Sequence, residues 1–229
     1  MAAIDKYTDE QIRSAQMMGS RGNHWRPGKH LATLKATKIA TSVKSGGDFC
    51  AIECDVKETL LSSGYNGYLT PEEQAAGISP HDQAAPHFPG ETCAHVFTSA
   101  SAGTMFIGHL KGLLVAMKNS AHNHLQAMSD LYGATSEGKD WVADWRDQMT
   151  QAGIDLSPDK RNEITPSELR LSASDTQRQP FTSLPVVITA TRILTDKKKQ
   201  PFTRVTYEAA SVAQCKDLLL KMAEAAQAE

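Results

Sequence analysis

Acidic residues are missing from one long stretch of this chain. None occurs between Glu10 and Asp48, although 26 of the 229 residues are Asp or Glu. The same stretch contains seven basic residues: Arg13, Arg21, Arg26, Lys29, Lys35, Lys38 and Lys44. A second basic cluster, with Asp196 as its only acidic member, contains Arg192, Lys197, Lys198, Lys199 and Arg204. Because the net charge is only −2, these clusters predict strong local fields that attract polyanions.

Long apolar runs are also missing. No run approaches the roughly 18 to 20 residues that a helix needs to span a bilayer, and the start, from Met1 to Lys6, lacks the pattern of a signal peptide. The apolar content of 40% is that of a globular protein. We therefore expect a cytoplasmic protein that does not enter a membrane.

The four cysteines have neither disulfide-scaffold nor zinc-ribbon spacing. Buried, reduced thiols are expected. Cys50 and Cys54 share the parity of Ile52 and Val56 in a predicted strand, so all four side chains should point to one apolar face.

Catalytic motifs are absent as well. The sequence has no Walker motif, no Gly-x-Ser-x-Gly and no dinucleotide fingerprint. The triplet at 122–124, His-Asn-His, lacks the ββα context of the nucleases that its letters suggest. His81, His87, Cys93 and His95 are spaced too irregularly to predict a zinc site. The acidic residues between 130 and 175 are typical of a solvated face. We predict no enzymatic activity, no metal and no cofactor.

The order of elements predicts one decorated domain over 1–229. A capping box at Thr8 starts a short helix, and a basic, glycine-rich arm follows up to residue 29. Three strands fall within 30–98, the third from Thr92 to Thr98, with a loop insertion at 61–90 in which a capping box at Thr70 begins a short helix. Residues 104–183 form a helical insertion in which Trp141, Trp145 and Met149 make one stripe, expected to be core. A capping box at Thr165 begins the last short helix of that insertion. Two further strands, the first from Pro185 to Leu194, and a terminal helix occupy 184–229.

Five strands with helices inserted between the third and fourth suggest a mainly β fold, namely a five-stranded OB-like barrel. Particular segments support it: 47–56 (GDFCAIECDV), 88–92 (FPGET), 107–116 (IGHLKGLLVA), and a lysine-rich hairpin ending in 200–204 (QPFTR). In these segments the chain resembles bacteriophage-encoded single-stranded-DNA-binding proteins of the OB fold. The resemblance implies a role in phage DNA replication or recombination, in the host cytoplasm, with replication or recombination proteins as partners.

The chain departs from that family in two places. The stretch 118–183 is longer than a minimal version needs, and 221–229 is predicted to be a helix end instead of a flexible acidic tail. Recruitment of partners through a tail is therefore not expected, and the sequence leaves the oligomeric state open.

Binding of a single strand requires cations for the phosphates and exposed rings for the bases. Phe49 has parity opposite to Ile52, and Phe202 has parity opposite to Val205, so both rings should point outward. Trp25 lies in the glycine-rich arm as a third candidate, with an anchor for that arm as the alternative. The predicted nucleic-acid-binding residues are Arg21, Trp25, Arg26, Lys29, Lys35, Lys38, Lys44, Phe49, Arg192, Lys197, Lys198, Lys199, Phe202 and Arg204. The alternative function is a phage structural or assembly protein that uses the same barrel for protein contacts.

Overall fold

The structure is a computed structural model that describes residues 23–41, 48–98, 104–173, 179–195 and 199–228. The predicted helix after Thr8 and four predicted site residues, Arg21, Lys44, Lys197 and Lys198, lie outside these ranges. The strands are β1 (Asn23–His24), β2 (Gly28–Thr41), β3 (Asp48–Ser62), β4 (Thr92–Thr98), β5 (Pro185–Leu194) and β6 (Pro201–Ala209). The helices are α1 (Pro71–Ala75), α2 (Thr104–Tyr132), α3 (Ser136–Gln151), α4 (Pro166–Ala173) and α5 (Val212–Ala228), and a 3-10 turn spans Pro158–Lys160.

The strands form one sheet in the order β1-β4-β3-β2-β5-β6. All pairs are antiparallel except the two-residue β1, which runs parallel to β4. Helices α2, α3 and α5 contribute 29, 16 and 17 residues, so the fold is mixed α/β, with more helix than the predicted mainly β fold with helices. The helical insertion between β4 and β5 and the C-terminal helix are as predicted. The excess of helix comes from the insertion between β4 and β5.

The sheet curls, so that its two ends approach each other. His95 lies on β4 and Tyr207 on β6, which are the outermost of the five long strands, yet His95 Nδ1 and Tyr207 Oη are 2.7 Å apart. Three register shifts between β2 and β3 favour this curvature, because bulges bend and twist a strand. The unpaired residues are Leu60 and Lys57 on β3 and Lys35 on β2. No backbone pairing joins β4 to β6 in the described ranges, so the sheet is not a closed barrel.

The interior of the curled sheet is the main core. Cys50, Ile52, Cys54 and Val56 are fully buried, which confirms the predicted apolar face of β3. The first half of α2 covers this interior with buried side chains at Leu110, Leu113, Leu114 and Met117. Each fully buried large apolar side chain of this kind contributes about 1.5–3 kcal/mol. All four cysteines, including Cys93 on β4 and Cys215 on α5, are free and buried, as expected.

A second core lies on the outer side of the sheet. Leu31 on β2 and Val187 on β5 point outward, yet both are buried under the second half of α2 and under α5. These helices bury Leu31 and Val187, whereas most of the described side chains on the outer face of β3, β4 and the second half of β2 are partly exposed. No helix in the described part of the chain is both long and apolar enough to cross a membrane.

Helix α3 faces the core differently from the predicted stripe. Met149 is buried and Trp145 is half-buried, but Trp141 is 49% exposed. Val142 is buried instead, and the Trp141 ring packs against Tyr132 at a centroid distance of 4.9 Å. The prediction was wrong for Trp141, because a large amphipathic ring can pack against a neighbouring helix while one side stays exposed to solvent.

Candidate nucleic-acid interface

The outer face of β2, β3 and β4 brings together three of the predicted binding residues. Phe49 alternates with the buried Cys50 and is half-buried, as its outward parity predicts. Lys38 pairs with Ala51 on the same face. Lys35, three residues before Lys38, is the unpaired residue of a bulge in β2. The side chains of Lys35 and Lys38 are 50% and 49% exposed. This face, which we call the lysine face, therefore offers two cations and one ring near the end of β2.

Both lysines of this face have acidic neighbours. Lys35 Nζ lies 3.6 Å from Asp55 Oδ1 and donates to Thr92 Oγ1 at 3.2 Å, while Lys38 Nζ lies 3.8 Å from Glu53 Oε1. Such exposed pairs are worth about 0–1 kcal/mol. The ammonium groups thus remain able to exchange a carboxylate for a phosphate at little cost.

Two further basic residues of the arm are more firmly paired. Lys29 Nζ donates to Glu208 Oε2 at 2.8 Å. Arg26 Nη1 donates to the Pro86 carbonyl at 2.6 Å, and Arg26 Nη2 lies 3.8 Å from Glu91 Oε1. The acid-free segment of the sequence therefore does not form an acid-free surface, because β3, β6 and the loop before β4 supply the missing carboxylates.

A second group of predicted residues lies at the β5–β6 hairpin. Phe202 is 46% exposed, Arg204 is exposed on the same side, and Val205 is buried, as the alternation predicts. Lys199 in the turn is exposed.

The strand register separates this hairpin group from the lysine face. Phe49 pairs with Ala40 near the end of β2. Phe202 pairs with Ile193 of β5, which lies three residues beyond the partner of Gly28 at the start of β2. At about 3.3 Å per residue, the 12 residues from Gly28 to Ala40 span roughly 40 Å along β2. The predicted residues therefore form two patches.

Trp25 is buried, so its prediction as an exposed stacking residue is wrong. Its exposed fraction is 3%, and its ring lies 5.4 Å from that of His30 and 5.6 Å from that of His87. The pairing of β1 with β4 holds the arm against the sheet. Gly28 permits this approach: its φ is +149°, and a Cβ there would lie 2.3 Å from the Leu61 carbonyl oxygen. Trp25 is thus the anchor of the arm.

Arg192 is also buried, with a side chain only 7% exposed, so it cannot serve as a free phosphate contact. It donates to the Tyr68 carbonyl at 3.2 Å and to Thr203 Oγ1 at 2.6 Å, and it forms an ion pair with Glu73. Its guanidinium also lies over the Tyr65 ring. The capping box of α1 positions Glu73, whose Oε2 accepts from the Thr70 N–H. Arg192 therefore ties the 61–90 excursion to β5.

His87, Glu91 and Cys93 form a compact cluster that the sequence did not reveal. Their ligand-type atoms all lie within 4.8 Å of one another. The backbone N–H of Arg26 donates to His87 Nε2 at 3.0 Å. Since a backbone N–H can only donate, Nε2 is the acceptor and Nδ1 of the neutral ring carries the proton, which it gives to Glu91 Oε2 at 2.6 Å.

Burial raises the pKa of the Cys93 thiol to about 12, so the thiol is protonated at neutral pH. Burial also lowers the pKa of His87, so its ring is neutral. A metal that bound these three side chains would have to displace the proton of the thiol. In the metal-free protein the cluster is a hydrogen-bond network that holds the 86–91 loop beneath Trp25.

Comparison with known proteins adds no family to this geometry: no protein-family model matches the chain, and no curated protein matches it in sequence.

Proposed function

We propose that this protein binds single-stranded DNA without sequence preference and supports phage DNA replication or recombination. The observation that carries the proposal is the lysine face, where Lys35 and Lys38 are exposed and Phe49 is half-buried. A single strand needs cations for its phosphates and a ring for its bases, and this face supplies both. Replication or recombination proteins are the further partners that the resemblance implies.

The connectivity of the strands supports the same proposal. The first long strand, β2, pairs with the second and the fourth, and helices follow the third, as in a partly open OB barrel. In OB folds the face of the second and third strands and the loops after the first and fourth strands bind oligonucleotides. Here these are the lysine face, the segment 42–47 with Lys44, and the segment 195–200 with three lysines; residues 42–47 and 196–198 lie outside the described ranges. The side-chain bond between His95 and Tyr207 bridges the two strands that would close such a barrel.

Titration of labelled oligo-dT at several salt concentrations tests the proposal. For single strands the logarithm of affinity falls with the logarithm of salt concentration by about 0.7 per neutralised phosphate. The double variant K35Q/K38Q should bind more weakly and lose about 1.4 from this slope, because two phosphate contacts are removed.

The matched control removes the same charge elsewhere. Lys111 on α2 and Lys139 on α3 are exposed and lie off the face, so K111Q/K139Q should bind like the parent. If the two double variants lose affinity equally, net charge alone governs binding, and the lysine face is not the site.

Exposed apolar side chains favour a second function, a structural or assembly role in protein contacts. Phe88, Leu61 and Met222 are 66%, 60% and 66% exposed. Absence of oligonucleotide binding at low salt, together with a defined oligomer in sedimentation experiments, would favour this function over the first.

A further inference from the structure

The helical insertion contains a cleft that the proposed DNA interface does not use. It lies between α2, α3 and the turn at 153–158, and its volume is about 790 Å³. Small-molecule sites occupy about 300–1,000 Å³, so the cleft is large enough for a ligand of nucleotide size. Its lining includes His122, Leu125, Arg146, Ile154, Asp155 and Arg161.

Three side chains with nitrogen donors line this cleft, and within the described residues they have no side-chain partner in an ion pair or, for His122 Nε2, in a hydrogen bond. His122 is only 9% exposed, and its Nε2 has no hydrogen-bond partner among the described residues. Arg146 and Arg161 are exposed, and neither guanidinium forms an ion pair within the described ranges. Because both guanidinium groups are exposed, a ligand in the cleft can reach them, whereas His122 Nε2 is closed to solvent.

The charge of the cleft favours an anion. Asp155 is its only acidic side chain, and Asp155 Oδ1 already accepts from the Ser157 N–H at 2.9 Å and from Ser157 Oγ at 2.6 Å. These hydrogen bonds lower the pKa of Asp155, which is therefore ionised at neutral pH. The two arginines leave a net charge of +1.

The walls of the cleft are suited to more than a bare ion. Ile154 is buried, Leu125 is 7% exposed and Leu156 is half-buried, so they give an apolar floor. Hydroxyl groups of Ser129 and Thr150 lie on the helices above it. A flat ring could cover the apolar part while an oxyanion meets the arginines.

We propose that this cleft binds a phosphate group carried by a nucleotide, with Arg146 and Arg161 as its cationic ligands and His122 in the adjoining wall. Arginine suits this role because its planar fork of N–H groups matches phosphate oxygens in pairs. The site does not rest on DNA binding at the lysine face, since the two lie on different elements.

Histidine NMR provides a direct reading of occupancy. The charges that face His122 are those of Arg146, Arg161, Lys118 and Asp155, and burial together with the three cations lowers the pKa of His122. A bound phosphate adds negative charge, so the ring signals of His122 should shift and its pKa should rise. Thymidine monophosphate should shift these signals at lower concentration than inorganic phosphate, and thymidine without phosphate should not shift them.

Variants then test the assignment. R146Q and R161Q should each weaken binding of thymidine monophosphate at least tenfold in calorimetry, while melting temperatures stay unchanged because both side chains are exposed. K139Q, which removes an exposed cation from α3 outside the cleft, is the control and should bind the nucleotide like the parent.

A second experiment, in which oligonucleotides replace the mononucleotide, decides where the phosphate comes from. If only oligonucleotides shift the His122 signals, and R146Q weakens that binding, the cleft takes a phosphate of the strand itself. If no phosphate compound shifts His122, or if R146Q/R161Q binds as the parent does, the proposal is overturned. K35Q/K38Q keeps the two proposals apart, because it should lose oligonucleotide binding at the lysine face and retain binding of the mononucleotide.

Discussion

Truncation of the aromatic rings distinguishes base stacking from core packing. The Trp25 ring is 3% exposed, so Trp25→Ala should cost about 3–5 kcal/mol of stability. Phe202 is 46% exposed, and complete burial of a phenylalanine is worth about 1.5–3 kcal/mol. Because about half of that burial is present, Phe202→Ala should cost only about 1 kcal/mol of stability.

The effect on DNA binding should be the reverse. A stacked base contributes about 1–3 kcal/mol, which corresponds to roughly a 5- to 150-fold change in Kd. Phe49→Ala and Phe202→Ala should each weaken binding by this amount and leave the salt dependence unchanged, because no phosphate contact is removed. Trp25→Ala should keep the affinity of the parent in its folded fraction.

Urea unfolding and fluorescence anisotropy with labelled oligo-dT measure the two quantities on the same samples. Phe88→Ala is the matched control, since this ring is 66% exposed but lies on the loop before β4. The reasoning is refuted if Phe49→Ala and Phe202→Ala bind as well as Phe88→Ala. Protein contacts would then become the better explanation of the exposed rings.

Three further predictions concern the hairpin turn, the insertion and the core. Replacement of the lysines at 197–199 by alanine should leave stability unchanged and weaken binding to all sequences alike; unchanged affinity would mean that the turn does not touch the strand. Lys118 and Glu168 form a buried pair at 2.7 Å with side chains 1% and 2% exposed. Lys118→Met should therefore cost about 3–5 kcal/mol in urea unfolding, because the Glu168 carboxylate is left buried without its counter-charge; a loss below 1 kcal/mol, on the order of that of an exposed pair, would contradict this. Burial, with smaller contributions from nearby histidine charges, lowers the pKa of His95 from 6.5 to about 4. As the pH falls, His95 is protonated in the unfolded chain before it is protonated in the folded one. Its contribution to the free energy of unfolding is therefore complete above pH 6.5 and falls by about 3 kcal/mol between pH 6.5 and 4. His95→Gln should reduce that fall, and an equal fall in the variant would assign the pH dependence to other groups.

Local patterns in the sequence predicted much of the fold. Strand β4 and strand β5 begin and end where predicted, at Thr92–Thr98 and Pro185–Leu194. The predicted capping boxes at Thr70 and Thr165 both form. These features succeed because caps and the two-residue alternation of strands depend on neighbours within a few positions.

Failures arose where partners are distant in sequence. Arg192 looked like part of a free basic cluster, but its partner Glu73 lies 119 residues away and no local pattern reveals it. Trp25 looked exposed in a glycine-rich arm, yet His87 reaches it from the loop before β4. The predicted barrel is not confirmed for a related reason. Whether β4 and β6 pair depends on the curvature summed over all the strands between them, which no local pattern in the sequence gives.

The candidate DNA site was predictable in its orientations but not in its charge. The outward parity of Phe49 and Phe202 follows from alternation alone. The neutralising carboxylates at Asp55 and Glu53 could have been anticipated, since a hairpin brings β3 beside the basic β2. A count of charges along residues 11–47 omits the carboxylates of β3, which lies beside β2 in the sheet.

The burial of every cysteine has a practical consequence for labelling. Burial raises the pKa of Cys50 and Cys93 to about 12 and that of Cys215 to about 11, and it raises the pKa of Cys54 as well. Maleimides react with exposed thiolates, which the folded chain does not offer at neutral pH. A single cysteine introduced on the surface could therefore carry a fluorophore without removal of the native thiols, and slow labelling of the native four would time the opening of the fold.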